Sequence, residues 1–132
     1  MQPITHVIVT TVIVIVLWPY FGWLALAAYL TGVLVDSDHI FEYFKHHKQF
    51  SYSKLKQYYK TTNFQGILNV FHTIEFLVLL LFLSFYHEFF IILTISFIIH
   101  WAMDFLQQIQ KGYLHHRKPS ILWWIYKNRK KN

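Results

Sequence analysis

Twenty-nine consecutive residues, Val7 to Val35, carry neither a charge nor a histidine, and they run straight into Asp36-Ser37-Asp38-His39. As one helix the stretch would measure about 43 Å at ~1.5 Å per residue, well over the ~30 Å hydrocarbon core of a bilayer. It is therefore one long kinked span or two short helices. Trp18-Pro19-Tyr20-Phe21-Gly22 offers a turn whose aromatic residues suit a membrane interface. Length favours the hairpin, although two arms of about 15 residues reach only ~22 Å each and require a thinned bilayer or helices that outrun their apolar cores.

Two more apolar runs follow, Phe64–Tyr86 and Phe89–Leu106, in a chain that is 55% apolar and 14% charged over 132 residues. That balance is too greasy for a soluble domain of this size. The expected fold is all-α: residues 1–132 form a single domain, a bundle of four transmembrane helices with a short interfacial C-terminal segment. All twelve Lys and Arg lie in two blocks, 45–60 and 111–131. The positive-inside rule puts both blocks in the cytoplasm and makes the last two runs a hairpin turning at Ser84–Glu88 on the far side. With the first hairpin, both termini are cytoplasmic and the protein is a multi-pass inner-membrane protein.

The start MQPITH lacks the basic flank of a cleavable signal, so the N-terminus is expected to be retained. The basic blocks are expected to meet membrane lipids through anionic headgroups, not nucleic acid. The segment Ile121–Tyr126 with its basic tail, and the loop Phe50–Lys60, read as lying in the headgroup layer. Oligomeric state leaves no mark in the sequence.

Ionisable residues inside spans are costly and point to a site. His6 opens the first helix, and Asp36, Asp38 and His39 end the second arm. His72 and Glu75 stand three apart and His100 and Asp104 four apart, so each pair is expected to share a helix face. The topology read from the lysines brings all eight to the cytoplasmic half. With no cysteine, the ligand set is imidazole and carboxylate, which suits zinc or manganese, as one or two divalent ions with a carboxylate bridging. Asp38 and Glu75 are candidates for general base as well as for ligands. The opposing view is four polar pairs that merely glue helices. His46, His47, His115 and His116 stand in the basic blocks, His87 is in the far-side turn, and no serine has a triad around it.

The order of these motifs over nearly the whole chain resembles the bacterial and archaeal membrane-bound metal-dependent hydrolases, which include a LexA-regulated inner-membrane type. The matching features are His6, the D-x-D-H of Asp36, Asp38 and His39, then His72, and the H-x-x-x-D of His100 and Asp104. The resemblance implies a metal-dependent hydrolase acting on a phosphoester or ester. Members commonly show P-D-x-D-H and H-R-G-x-T-H-S, where this chain has Val35 before Asp36 and Ile67-Leu68-Asn69-Val70-Phe71-His72-Thr73. It would thus be a divergent member, with Glu75 a possible substitute. The alternatives are a non-enzymatic metal-binding or transport-associated membrane protein, and a haem protein with His72 and His100 as axial ligands.

Overall fold

In the computed structural model residues 3–37, 70–110 and 120–129, with 51, 53, 54 and 112, are described, and every regular element among them is helical. Helix α1, Pro3–Phe21, opens on a proline, whose missing N–H costs nothing at a first helical position. Pro19 sits in its last turn, and the chain reverses at Gly22 with φ 53°. A Cβ there would meet nothing within 4 Å, so the glycine is required by its left-handed backbone rather than by space.

The second arm is a 3-10 stretch Gly22–Ala27, helix α2 Ala28–Gly32 and a second 3-10 stretch Leu34–Asp36. A 3-10 helix rises ~2.0 Å per residue, so this arm reaches about 26 Å where an α-helix of the same residues would reach ~22 Å. That elongation answers the shortness anticipated from sequence. The arms pack antiparallel: Thr11 Oγ1 and Tyr29 Oη are 2.8 Å apart, and Ile13 and Val14 pack with Ala25 and Ala28. His6 thereby comes within 3.6 Å of Asp36, whereas a continuous helix would hold them about 45 Å apart. The hairpin reading of residues 7–35 is the one that forms.

Helix α3, Ile74–Leu83, and helix α4, Glu88–Gln110, make the second hairpin. The turn closes through Phe85 N–H to Phe82 O and Tyr86 N–H to Leu83 O, and His87 Nδ1 accepts from Phe89 N–H at the start of α4. Phe76 meets Phe97 edge-on at 5.2 Å, and Leu80 joins Leu93, Phe97 and Val35 in the core. Helix α4 is central, with a buried stripe through Leu93, Phe97, His100 and Asp104 at helical spacing.

Along α4, the second arm runs parallel at a fixed offset. Ser96 Oγ–H donates to Ala28 O at 2.8 Å and His100 Nδ1 meets Gly32 O at 3.0 Å, each pair 68 residues apart. Thr31 Oγ1–H adds a bond to Leu93 O. Small residues permit this closeness: a Cβ on Gly32 would stand 2.6 Å from Ser96 Oγ and nearer still to Thr10.

Two stretches, Ile4–Asp36 and Glu88–Gln110, are long and apolar enough to cross a membrane, and Ile74–Leu83 is a shorter apolar helix. Four full-length spans are thus not seen among the described residues: the first stretch is folded on itself, and α3, at 10 residues, covers only ~15 Å. The beginning of the third apolar run, 64–69, lies outside the described residues. Ile8, Ile15, Val78 and Phe82 expose their apolar side chains on the outer faces. Exposed aromatics collect at the two turns, with Trp18, Tyr20 and Trp23 at one and Phe85 and Tyr86 at the other. The C-terminal helix α5 spans Ile121–Arg129.

Candidate metal centre

The offset that pairs Ala28 with Ser96 and Gly32 with His100 continues one step further, to Asp36 and Asp104. The α3–α4 hairpin then brings His72 up to His100, and the first hairpin brings His6 over Asp36. Asp36, His72, His100 and Asp104 each offer one donor atom, all within 4.8 Å of one another. Both imidazoles and Asp104 are buried, and Asp36 is nearly so. No ion-binding role is needed to explain a buried histidine by itself, so the spacing between donors decides.

His72 Nε2 lies 3.1 Å from His100 Nε2, 3.3 Å from Asp36 Oδ1 and 3.4 Å from Asp104 Oδ2. His100 Nε2 lies 3.4 Å from Asp36 Oδ1 and 3.6 Å from Asp104 Oδ2. A tetrahedral ion with bonds of ~2.0–2.1 Å sets its ligand atoms about 3.3–3.4 Å apart. Five of the six edges of the donor tetrahedron therefore bracket the value that a zinc-sized ion demands. The donor set, two imidazoles with two carboxylates, suits the same class of ion.

The tautomer is set as well. His100 Nδ1–H donates to Gly32 O, which leaves Nε2 with its lone pair aimed at the cluster, the outer-shell arrangement that metal-binding imidazoles use. Two Nε2 atoms at 3.1 Å cannot both carry protons facing each other. A haem fits poorly: axial nitrogens on opposite faces of a porphyrin stand about 4 Å apart, twice a ~2.0 Å bond, with the iron between them.

His6, one of the sequence candidates, sits beside the four, its ring 4.3 Å from that of His100 between centroids. Asp38 and His39 lie outside the described residues. Glu75 does not join the group. The expectation that His72 and Glu75 share a helix face fails because the helix is broken between them: His72 ends a 3-10 turn, and Thr73 is extended with φ −102° and ψ 157° before α3 begins. Glu75 Oε1 instead accepts from Ser120 Oγ–H at 2.5 Å and from Leu122 N–H at 3.2 Å. An acidic group against the first turn of α5 is electrostatically favourable, and Ser120 Oγ accepts in turn from Trp123 N–H. Glu75 is thus a clasp for the C-terminal helix.

Glu75→Ala is accordingly expected to leave metal content unchanged while accelerating tryptic cleavage at Lys127 and Arg129 about tenfold, the loss of charge-assisted bonds of ~1.5 kcal/mol or more. Loss of metal in that variant would restore Glu75 as a ligand. Gly32 is the residue the sequence reading missed. Its signal was present as Ala28-x-x-x-Gly32, two small residues four apart on an apolar helix. No family model matches the chain, and no curated protein or solved structure matches it.

Proposed function

We propose that the protein is an integral-membrane, metal-dependent hydrolase whose Asp36, His72, His100 and Asp104 hold zinc or manganese at the cytoplasmic leaflet, acting on a phosphoester or ester of a lipid. The observation that carries the metal is the convergence of four donor atoms within 4.8 Å, three of them on buried residues. The motif order shared with membrane-bound metal-dependent hydrolases supports the reaction class. A divalent ion in this centre that keeps a coordination position open would supply Lewis acidity, lowering the pKa of a water and polarising the scissile group.

The chain's own residues supply the rest. Phe97, Leu93, Leu80 and Val35 fill the core beneath the group, closing it towards the far leaflet and excluding water from that side. A transport path would need polar groups continuing through that region, so the closed floor favours the hydrolase over the transport-associated reading. In the proposed topology the helices of the two hairpins are the four membrane segments, both termini are cytoplasmic, and the basic blocks draw anionic headgroups towards the open end. Helix α5, with exposed Leu122, Trp123 and Tyr126 and with Lys127 Nζ 4.8 Å from the Trp123 ring centroid, lies in the headgroup layer.

The test is elemental analysis of the tag-free protein in detergent, alongside hydrolysis of phospholipids and soluble phosphodiesters in mixed micelles. Bound zinc or manganese is expected, with activity that falls at least ~1,000-fold on chelation, several kcal/mol of barrier, and returns with the ion. A folded protein that takes up neither ion after reconstitution would sink the reading.

A further inference from the structure

The four converging donors use only half of each carboxylate. Asp36 gives Oδ1 to His72 and His100, and its other oxygen, Oδ2, lies 3.6 Å from His6 Nε2. Asp104 repeats the pattern: Oδ2 faces His72 and His100, while Oδ1 lies 3.4 Å from His6 Nε2. Both acids therefore point one oxygen at each of two places. The distances from His6 Nε2 to these two oxygens, 3.6 and 3.4 Å, fall within the range of the first place.

His6 is the independent sign that something belongs there. Its side chain is 1% exposed, yet neither Nδ1 nor Nε2 closes a hydrogen bond. A buried imidazole with both nitrogens unsatisfied costs about 1–3 kcal/mol per group unless a partner arrives. Nε2 is aimed at two carboxylate oxygens from a distance too long for good hydrogen bonds and suited to sharing a cation with them.

We infer a second divalent-cation position, held by His6 Nε2, Asp36 Oδ2 and Asp104 Oδ1, so that Asp36 and Asp104 bridge two ions. This rests on the metal reading above and extends it by dividing the labour. The first position is closed by four protein donors, as in sites that hold structure. The second has three protein donors among the described residues, which would leave coordination positions for water or substrate, as catalytic sites do. The phosphoryl or acyl oxygen of the substrate belongs at the His6 position, and the His72–His100 position fixes the bridging carboxylates.

The test is Mn(II) loading of the full-length protein in detergent, read by stoichiometry and by electron paramagnetic resonance. Two equivalents are expected, with the multiline spectrum of an exchange-coupled pair. His6→Ala is expected to bind one equivalent, with the six-line spectrum of an isolated ion, and to lose hydrolysis at least ~100-fold. The melting temperature of that variant keeps most of its metal-dependent increment. Binding of a single equivalent by the unaltered protein would overturn the second position and leave the metal reading standing, a result that needs no variant to fold. Equal stoichiometry in the parent and His6→Ala would overturn it too. Two coupled ions without hydrolysis of any ester would keep this site and reject the hydrolase, and no bound ion at all would end both.

Discussion

Asp104→Asn is expected to move the melting temperature in opposite directions according to whether metal is present. In the loaded protein it removes a ligand and half of the charge that neutralises the ion. Metal affinity should fall by more than the 10–100-fold that loss of an outer-shell partner costs. An ion present at a thousand times its Kd stabilises by about 4 kcal/mol, so losing it should lower the melting temperature by on the order of 10 °C. In the stripped protein the sign reverses. Asp36 and Asp104 then face each other with donor atoms within 4.8 Å, a repulsion of about 3 kcal/mol at an effective dielectric near 20. The neutral amide relieves it, and the melting temperature should rise by several degrees.

Differential scanning calorimetry with and without chelator reads both signs. The opposing account, in which protonated histidines and aspartates simply bind helices together, predicts that Asp104→Asn lowers the melting temperature in both conditions, because breaking a buried pair strands the partner charge. Asp36→Asn should behave like Asp104→Asn, since the two acids make equivalent contacts with His72 and His100.

Gly32→Ala is the second large effect, although it touches no donor atom. The added Cβ would press on Ser96 Oγ and on the Thr10 side chain, both of which are buried, with exposures of 0% and 1%. Ser96 cannot swing aside freely while it donates to Ala28 O. Overpacking of this kind costs about 1–3 kcal/mol. Because Gly32 O is the acceptor for His100 Nδ1–H, a displaced backbone also turns the imidazole, and metal affinity should drop about tenfold or more. Thr10→Ala in the same chain removes the closest obstruction and should recover more than half of the lost stability. A double variant no more stable than Gly32→Ala alone would show that space around Thr10 is not the cause.

Much of this was legible from the chain because the controlling quantities are lengths and periods. The hairpin of residues 7–35 followed from an uncharged run too long for one bilayer crossing, and its turn from Pro19 and Gly22. His100 and Asp104 lie on an uninterrupted helix, so their four-residue spacing translated directly into a shared face. His72 and Glu75 did not, because Thr73 adopts an extended backbone between them, and a single residue out of register redirects everything beyond it. The 3-10 character of the second arm left no mark in a pattern of alanines and leucines. Nor did the parallel pairing of that arm with α4, since Thr31 and Ser96 act through backbone carbonyls and look like any other small polar residue of an apolar helix.

That pairing makes the bundle a gauge. Ala28 to Ser96, Gly32 to His100 and Asp36 to Asp104 are three graduations of one scale, and a slip of one helical turn, ~5.4 Å, would misread all of them together. Interhelical hydrogen bonds within membranes average only ~0.6 kcal/mol, so the three of this pairing, from Ser96 to Ala28, His100 to Gly32 and Thr31 to Leu93, hold the alignment with about 2 kcal/mol. The carboxylates stand at the end of the scale, where any error in alignment is an error in the separation of the ligands. An ion bound there would act as a detent, favouring one setting of the two helices over its neighbours.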